Sequence, residues 1–186
     1  PNDLNKSMNE NNIFISGSLD KKIKIWKTNN NECLRTLEGH LHGILTLLIN
    51  KDYEIISGAK DGLIKIWNTR RGLCKKTIKA HEKDVSALVI QNDDELISGS
   101  WDKTIKIWNI KTGECKITLE GHTDIIRSLI INNNNQLISG SNDKTIKIWN
   151  MKTGKYINTL IGHNDWVWSL TIDKNNKLIS SSEDKT

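Results

Sequence analysis

Residues 96–136 read LISGSWDKTIKIWNIKTGECKITLEGHTDIIRSLIINNNNQ. Short runs of Ile, Leu, Val and Thr alternate there with clusters of Gly, Asn, Asp and Lys about every ten residues, the signals of strands and of the turns between them. The segment TIKIW at 104–108 alternates apolar and polar residues strictly. The turns SWDKT (100–104) and IKTGE (110–114) are short enough to join antiparallel neighbours. The stretch predicts a four-stranded antiparallel meander.

The same text recurs on both sides. Trp26, Trp67, Trp108 and Trp149 fall 41 residues apart, and so do His40, His81, His122 and His163. Ser16, Ser57, Ser98, Ser139 and Ser180 keep that spacing, as do Asp20, Asp61, Asp102, Asp143 and Asp184. A fixed period of this length marks a repeat architecture. One small sheet cannot bury both of its faces, so successive units must pack face against face. Repetition around an axis gives a β-propeller. A linear solenoid would have shorter units or helices, and no helical period of 3.6 occurs in the unit.

These spaced residues resemble the WD-repeat family of β-propellers over 13–186. The match rests on Gly39-His40, Ser57, Asp61 and Trp67, then His81, Ser98, Asp102 and Trp108, then His122, Ser139, Asp143 and Trp149. Two departures are visible: the Trp is followed by Lys27, Asn68, Asn109 and Asn150, and Ala80 replaces Gly before His81. The resemblance implies a hydrogen-bonded network inside each blade, from indole N–H to Ser hydroxyl, Ser to His, and His to the turn Asp. Buried indole and imidazole groups need such partners on physical grounds alone.

The expected fold class is therefore all-β, a propeller of four-stranded antiparallel blades. Dividing 186 residues by 41 gives about 4.5 units. The family most often has seven blades, so the expectation is an incomplete arc of a seven-bladed ring: a piece of a longer protein, or one completed by a second chain. Its units lie near 13–37, 38–78, 79–119, 120–160 and 161–186, preceded by an N-terminal segment, 1–12. An open arc would expose edges and apolar faces, a route to self-association.

Composition narrows the function class. The chain is 36% hydrophobic and 26% charged, and no stretch approaches the length of a membrane span. Residues 1–10, PNDLNKSMNE, lack the apolar region of a signal peptide. Three cysteines argue against a disulfide framework and fit a reducing compartment, cytoplasm or nucleus. The net charge of +5 allows an acidic partner. Against nucleic acid, Lys21, Lys60, Lys83, Lys103 and Lys144 are interleaved with Glu38, Glu82, Asp84, Glu120, Asp124 and Asp165. No single-sign face emerges.

Catalytic and metal readings fare poorly. The histidines and aspartates recur once per unit and so do not converge on one ion. Cys33, Cys74 and Cys115 are also 41 apart, without metal-ligand spacing. A Ser–His–Asp set repeated in every blade matches a structural network better than a hydrolytic triad. No enzyme activity, cofactor or metal is expected. Lys24, Lys65, Lys106 and Lys147, two residues before each Trp, read as solvated stems.

What breaks the repeat points to recognition, since invariant slots build the scaffold and variable loop slots are free to bind. Trp101 stands before Asp102, where other units carry Leu19, Lys60, Asn142 and Glu183. Trp166 shares its slot with Gly43, Asp84 and Ile125, and Trp168 shares its own with Leu45, Ser86 and Arg127. In a meander, the connection into the first strand and the turn between the second and third emerge at the same end, so these slots share one rim. In the WD-repeat family that rim is the usual peptide-binding surface. The resemblance implies a non-catalytic scaffold binding a protein or peptide through Trp101, Arg127, Trp166 and Trp168, with Asp84 and Asn142 adding polar contacts. The alternatives are a nucleic-acid-associated WD-repeat protein and a phosphopeptide-reading substrate receptor, the latter needing clustered arginines. A plainer reading has Trp166 and Trp168 wedged between blades.

Overall fold

The computed structural model describes residues 13–186; the N-terminal segment 1–12 lies outside the described residues. These residues form seventeen strands in five antiparallel sheets, with no helix among them. The first sheet holds β1 (Ile13–Gly17), β2 (Ile23–Lys27) and β3 (Cys33–Leu37). The second orders β4 (Ile44–Ile49), β5 (Ile55–Ala59), β6 (Leu63–Asn68) and β7 (Leu73–Lys79). The third orders β8 (Val85–Asn92), β9 (Glu95–Ser100), β10 (Ile105–Asn109) and β11 (Cys115–Leu119). The fourth orders β12 (Ile126–Ile131), β13 (Leu137–Ser141), β14 (Thr145–Asn150) and β15 (Lys155–Ile161). The fifth pairs β16 (Val167–Ile172) with β17 (Leu178–Ser182). Each sheet is a meander in chain order, and together they form an incomplete arc of propeller blades.

The turn between the second and third strands of each sheet is built by its Asp. Asp102 Oδ1 accepts the Thr104 N–H at 3.0 Å, and Asp143 Oδ1 accepts that of Thr145 at 3.0 Å. The residue between takes a left-handed backbone, φ 72° at Lys103 and 71° at Lys144; Gly62 fills that slot in the second sheet at 72°. A short carboxylate that bonds the backbone two residues on supports such a turn.

The core lies between sheets. Ile23, Ile25 and Leu37 of the first pack on Ile44, Ile55, Ala59 and Trp67 of the second. Ile56, Ile64 and Ile78 of the second meet Val85, Leu96 and Trp108 of the third. Ile97, Ile105 and Leu119 meet Ile126, Leu137 and Trp149, and Ile138 and Ile146 meet Val167 and Leu170. Strand alternation thus serves two interfaces, with one face of each sheet turned to each neighbour. Close approach depends on Gly17, Gly58, Gly99 and Gly140. A Cβ at these positions would lie 2.5, 2.6, 2.5 and 2.8 Å from side-chain carbons of Ile44, Val85, Ile126 and Val167, on the first strand of the following sheet.

Two of the lysines that precede a Trp by two residues, Lys106 and Lys147, differ from solvated stems. Lys147 is 7% exposed, with its Nζ 2.9 Å from Thr159 Oγ1 and 4.0 Å from the Tyr156 ring centre. Lys106 Nζ bonds the Ala80 carbonyl at 3.1 Å and lies 5.8 Å from the Trp108 ring. Strand alternation turns these side chains toward the neighbouring outer strand, where hydroxyls, carbonyls and ring faces replace water.

Candidate partner-binding rim

The turns that carry the rim are anchored from inside the second to fifth sheets. Trp67 Nε1 donates to Ser57 Oγ at 2.8 Å, His40 Nε2 meets that oxygen at 2.7 Å, and His40 Nδ1 reaches Asp61 at 2.9 Å. A carboxylate only accepts, so Nδ1 carries the proton and Nε2 accepts the Ser hydroxyl. His81 joins Ser98 at 2.7 Å and Asp102 at 2.8 Å, and Trp108 donates to Ser98 at 2.8 Å. His122 joins Ser139 at 2.7 Å and Asp143 at 2.6 Å, with Trp149 donating to Ser139 at 2.8 Å. His163, Ser180 and Asp184 repeat the chain. Ser57, Ser98 and Ser139 are fully buried and both nitrogens of their imidazole partners are engaged, so none of these three hydroxyls is placed to attack a substrate.

Burial by itself would raise the carboxyl pKa values of Asp61, Asp102 and Asp143. Bonds from the histidines and nearby backbone N–H groups, and from the Thr104 and Thr145 hydroxyls, outweigh it and hold all three below the usual carboxylate range. Burial pulls the His40 imidazole below its ordinary value, with Asp61 opposing.

Backbone bonds then fasten the two variable segments together. The N–H groups of Lys60, Trp101, Asn142 and Glu183 donate to the carbonyls of Gly43, Asp84, Ile125 and Trp166 at 3.0, 3.0, 2.9 and 3.0 Å. The first strand of each of the last four sheets is bulged just beyond this point. The register shifts between Ile44 and Thr46, Val85 and Ala87, Ile126 and Ser128, and Val167 and Ser169. The extra residues are Leu45, Ser86, Arg127 and Trp168. A bulge re-aims its side chain out of the pleat, as it commonly does beside binding sites.

Four of the sequence candidates come together. The Arg127 guanidinium carbon lies 5.3, 5.8 and 4.5 Å from the ring centres of Trp101, Trp166 and Trp168. Trp166 and Trp168 meet edge to face at 5.8 Å. Both indoles are 40% exposed. Burial lowers the Arg127 pKa, and the Asp124 carboxylate opposes that shift.

The polar candidates play smaller parts. Asn142 is 5% exposed and its Oδ1 accepts Arg127 Nε at 2.8 Å, so it holds the guanidinium and does not itself face outward. Asp84 joins the rim through its carbonyl; its carboxylate makes no hydrogen bond or ion pair among the described residues. The sequence reading missed Glu183, whose Oε2 accepts the Trp168 indole N–H at 2.7 Å. Its signal was present, since Glu183 fills the slot of Trp101 and Asn142. A cavity of about 410 Å³ beside Ile146, Leu160, His163 and Leu178 includes none of the rim residues. No helix among the described residues is long and apolar enough to cross a membrane.

The family described as WD40, "WD domain, G-beta repeat", matches residues 3–27, 31–68, 72–109, 113–150 and 154–186. The chain belongs to the WD40 family. Among solved structures it is similar to the "WD40 beta propeller domain of Doa1", at 26% identity and a TM-score of 0.85 over 94% of this chain. The WD40 chain spans 58% of the length of that structure. No curated protein matches significantly. WD40 propellers are in general protein-interaction scaffolds, and typically non-catalytic.

Proposed function

We propose that this WD40 chain is a non-catalytic scaffold that holds a protein or peptide partner on the rim formed by Trp101, Arg127, Trp166 and Trp168. The observation that carries this reading is the gathering of three indoles, one from the third sheet and two from the fifth, around the guanidinium of the fourth. Aromatic and Arg side chains dominate interface energetics because they bury large area at little cost in rotamer freedom. Asn142 positions Arg127, and Asp84 supplies an uncommitted carboxylate at the margin. Three exposed cysteines without disulfide partners support a reducing compartment, cytoplasm or nucleus.

The test is a randomised peptide library selected on the chain, with the recovered peptides then measured against Trp166→Ala and Trp168→Ala. Each substitution is expected to weaken binding about tenfold or more, with a thermal midpoint within about 2 °C of the parent. A large fall in midpoint with unchanged binding would assign both indoles to packing and refute the reading.

A further inference from the structure

We infer that the group gripped at the rim is the carboxylate of a single Asp or Glu side chain in a partner peptide, bound by the Arg127 fork between the Trp166 and Trp168 rings. This rests on the rim-binding reading above and adds the chemistry of the ligand.

A guanidinium has five N–H donors. Arg127 spends Nε on Asn142 Oδ1 at 2.8 Å, and its Nη groups have no acceptor among the described residues. Held by Asn142 and by three ring faces, the fork is oriented before a ligand arrives. A carboxylate meets it with two parallel bonds at little further cost in order. Partial burial of Arg127 strengthens such a bond by thinning the water around it.

The same arrangement argues against a cationic ligand. The space over the three rings is already filled by a cation, so a lysine or methylated lysine of the partner would meet Arg127 where it sought the rings. The surrounding acids narrow the choice further. Asp124 Oδ1 accepts the Ile125 N–H, Asp165 Oδ1 accepts the Trp166 N–H, and Glu183 Oε2 accepts the Trp168 indole. Asp124 acts on the guanidinium directly, and Asp84, Asp165 and Glu183 add negative charge along the same rim. Lys144, a rim cation, is tied to the Asn164 carbonyl at 2.8 Å. One carboxylate flanked by neutral or basic residues fits this field, whereas a run of acids or a doubly charged phosphate meets repulsion at its margins.

The experiment passes fluorescent dodecapeptide pools over the immobilised chain. Each pool is randomised around a fixed centre of Glu, Gln, Lys, phosphoserine or three consecutive Glu, and retained sequences are read by mass spectrometry. The Glu pool is expected to be retained about fivefold or more above each of the others, with Lys and Arg enriched beside the Glu. Arg127→Lys, which keeps the charge and loses the fork, should bring the Glu pool down to the Gln level. Asn142→Asp, which places a competing carboxylate on the guanidinium, should do the same and decides the matter alone if the first variant fails to fold.

Retention of the Gln, Lys, phosphoserine or tri-Glu pool equal to or above that of the Glu pool overturns the carboxylate assignment. So does Glu-pool binding that survives both substitutions yet is lost in Trp168→Ala; in that case the rim reading stands. Retention indifferent to Trp166→Ala and Trp168→Ala, or no retention of any pool, overturns the rim reading and the ligand assignment together.

Discussion

His81 Nε2 lies 2.7 Å from Ser98 Oγ, and the indole N–H of Trp108 donates to that same oxygen at 2.8 Å. One hydroxyl thus satisfies two buried rings, accepting from one and donating to the other. Ser98 has no exposed surface through which water could take its place. Ser98→Ala leaves an unpartnered indole donor and an unpartnered imidazole nitrogen, at about 1–3 kcal/mol each. The expected loss is about 2–5 kcal/mol in urea unfolding. A loss below about 1 kcal/mol would show that the network does not lock the blade.

Gly99 faces the next sheet with no room to spare. A Cβ there would lie 2.5 Å from Ile126 Cγ2 and 3.1 Å from Ile126 Cβ, and Ile126 is itself fully buried. Gly99→Ala therefore forces the third and fourth sheets apart, at about 1–3 kcal/mol. Gly162 is the control, since a Cβ there meets nothing within 4 Å. Gly162→Ala should stay within about 0.5 kcal/mol of the parent. Equal effects of the two substitutions would remove close sheet-to-sheet contact as the reason for the repeated glycine.

The contrast between Gly99 and Arg127 marks how far the sequence could be read. The period of 41 exposed the sheet, its strands and its hydrogen-bonded quartet, because each member must recur wherever the same buried partner recurs. Gly99 recurs as well, but a repeated glycine does not say whether it serves a turn or a close approach. The bulge at Leu45, Ser86, Arg127 and Trp168 left no trace, since an extra residue present in every unit does not disturb the spacing. Variable slots pointed to the rim residues. That one guanidinium would gather three indoles depends on side-chain directions set by that bulge.

Trp101 carries a cost that its ring offsets. It packs 5.3 Å from Arg127, yet its Nε1 is buried with no hydrogen-bond partner. Trp101→Phe keeps an aromatic face toward the guanidinium and deletes the orphan donor. Stability should hold or rise by up to about 1 kcal/mol, where Trp101→Ala should lower it. Thermal unfolding of the two variants checks this. A Phe variant as unstable as the Ala variant would mean that the indole N–H finds an acceptor in solution.

Acid should weaken the fold in two stages of the same sign. The His40 pKa is depressed by burial, so the unfolded chain takes up that proton first. Its contribution is complete above the ordinary histidine value, about 6.5, and drains away as pH falls below it. Asp61, Asp102 and Asp143 are also held low, by the histidine, backbone and threonine donors that outweigh their burial. Their contribution is complete above the unfolded carboxylate value, about 4, and is lost as pH drops further. The thermal midpoint should be level above about pH 7, decline gently toward pH 5 and fall steeply below about pH 4. His40→Gln should flatten the upper limb and leave the lower one in place, because Asp102 and Asp143 keep their own histidines. A midpoint that rises between pH 7 and pH 5 would mean that His40 gains its proton on folding, reversing the balance between burial and Asp61.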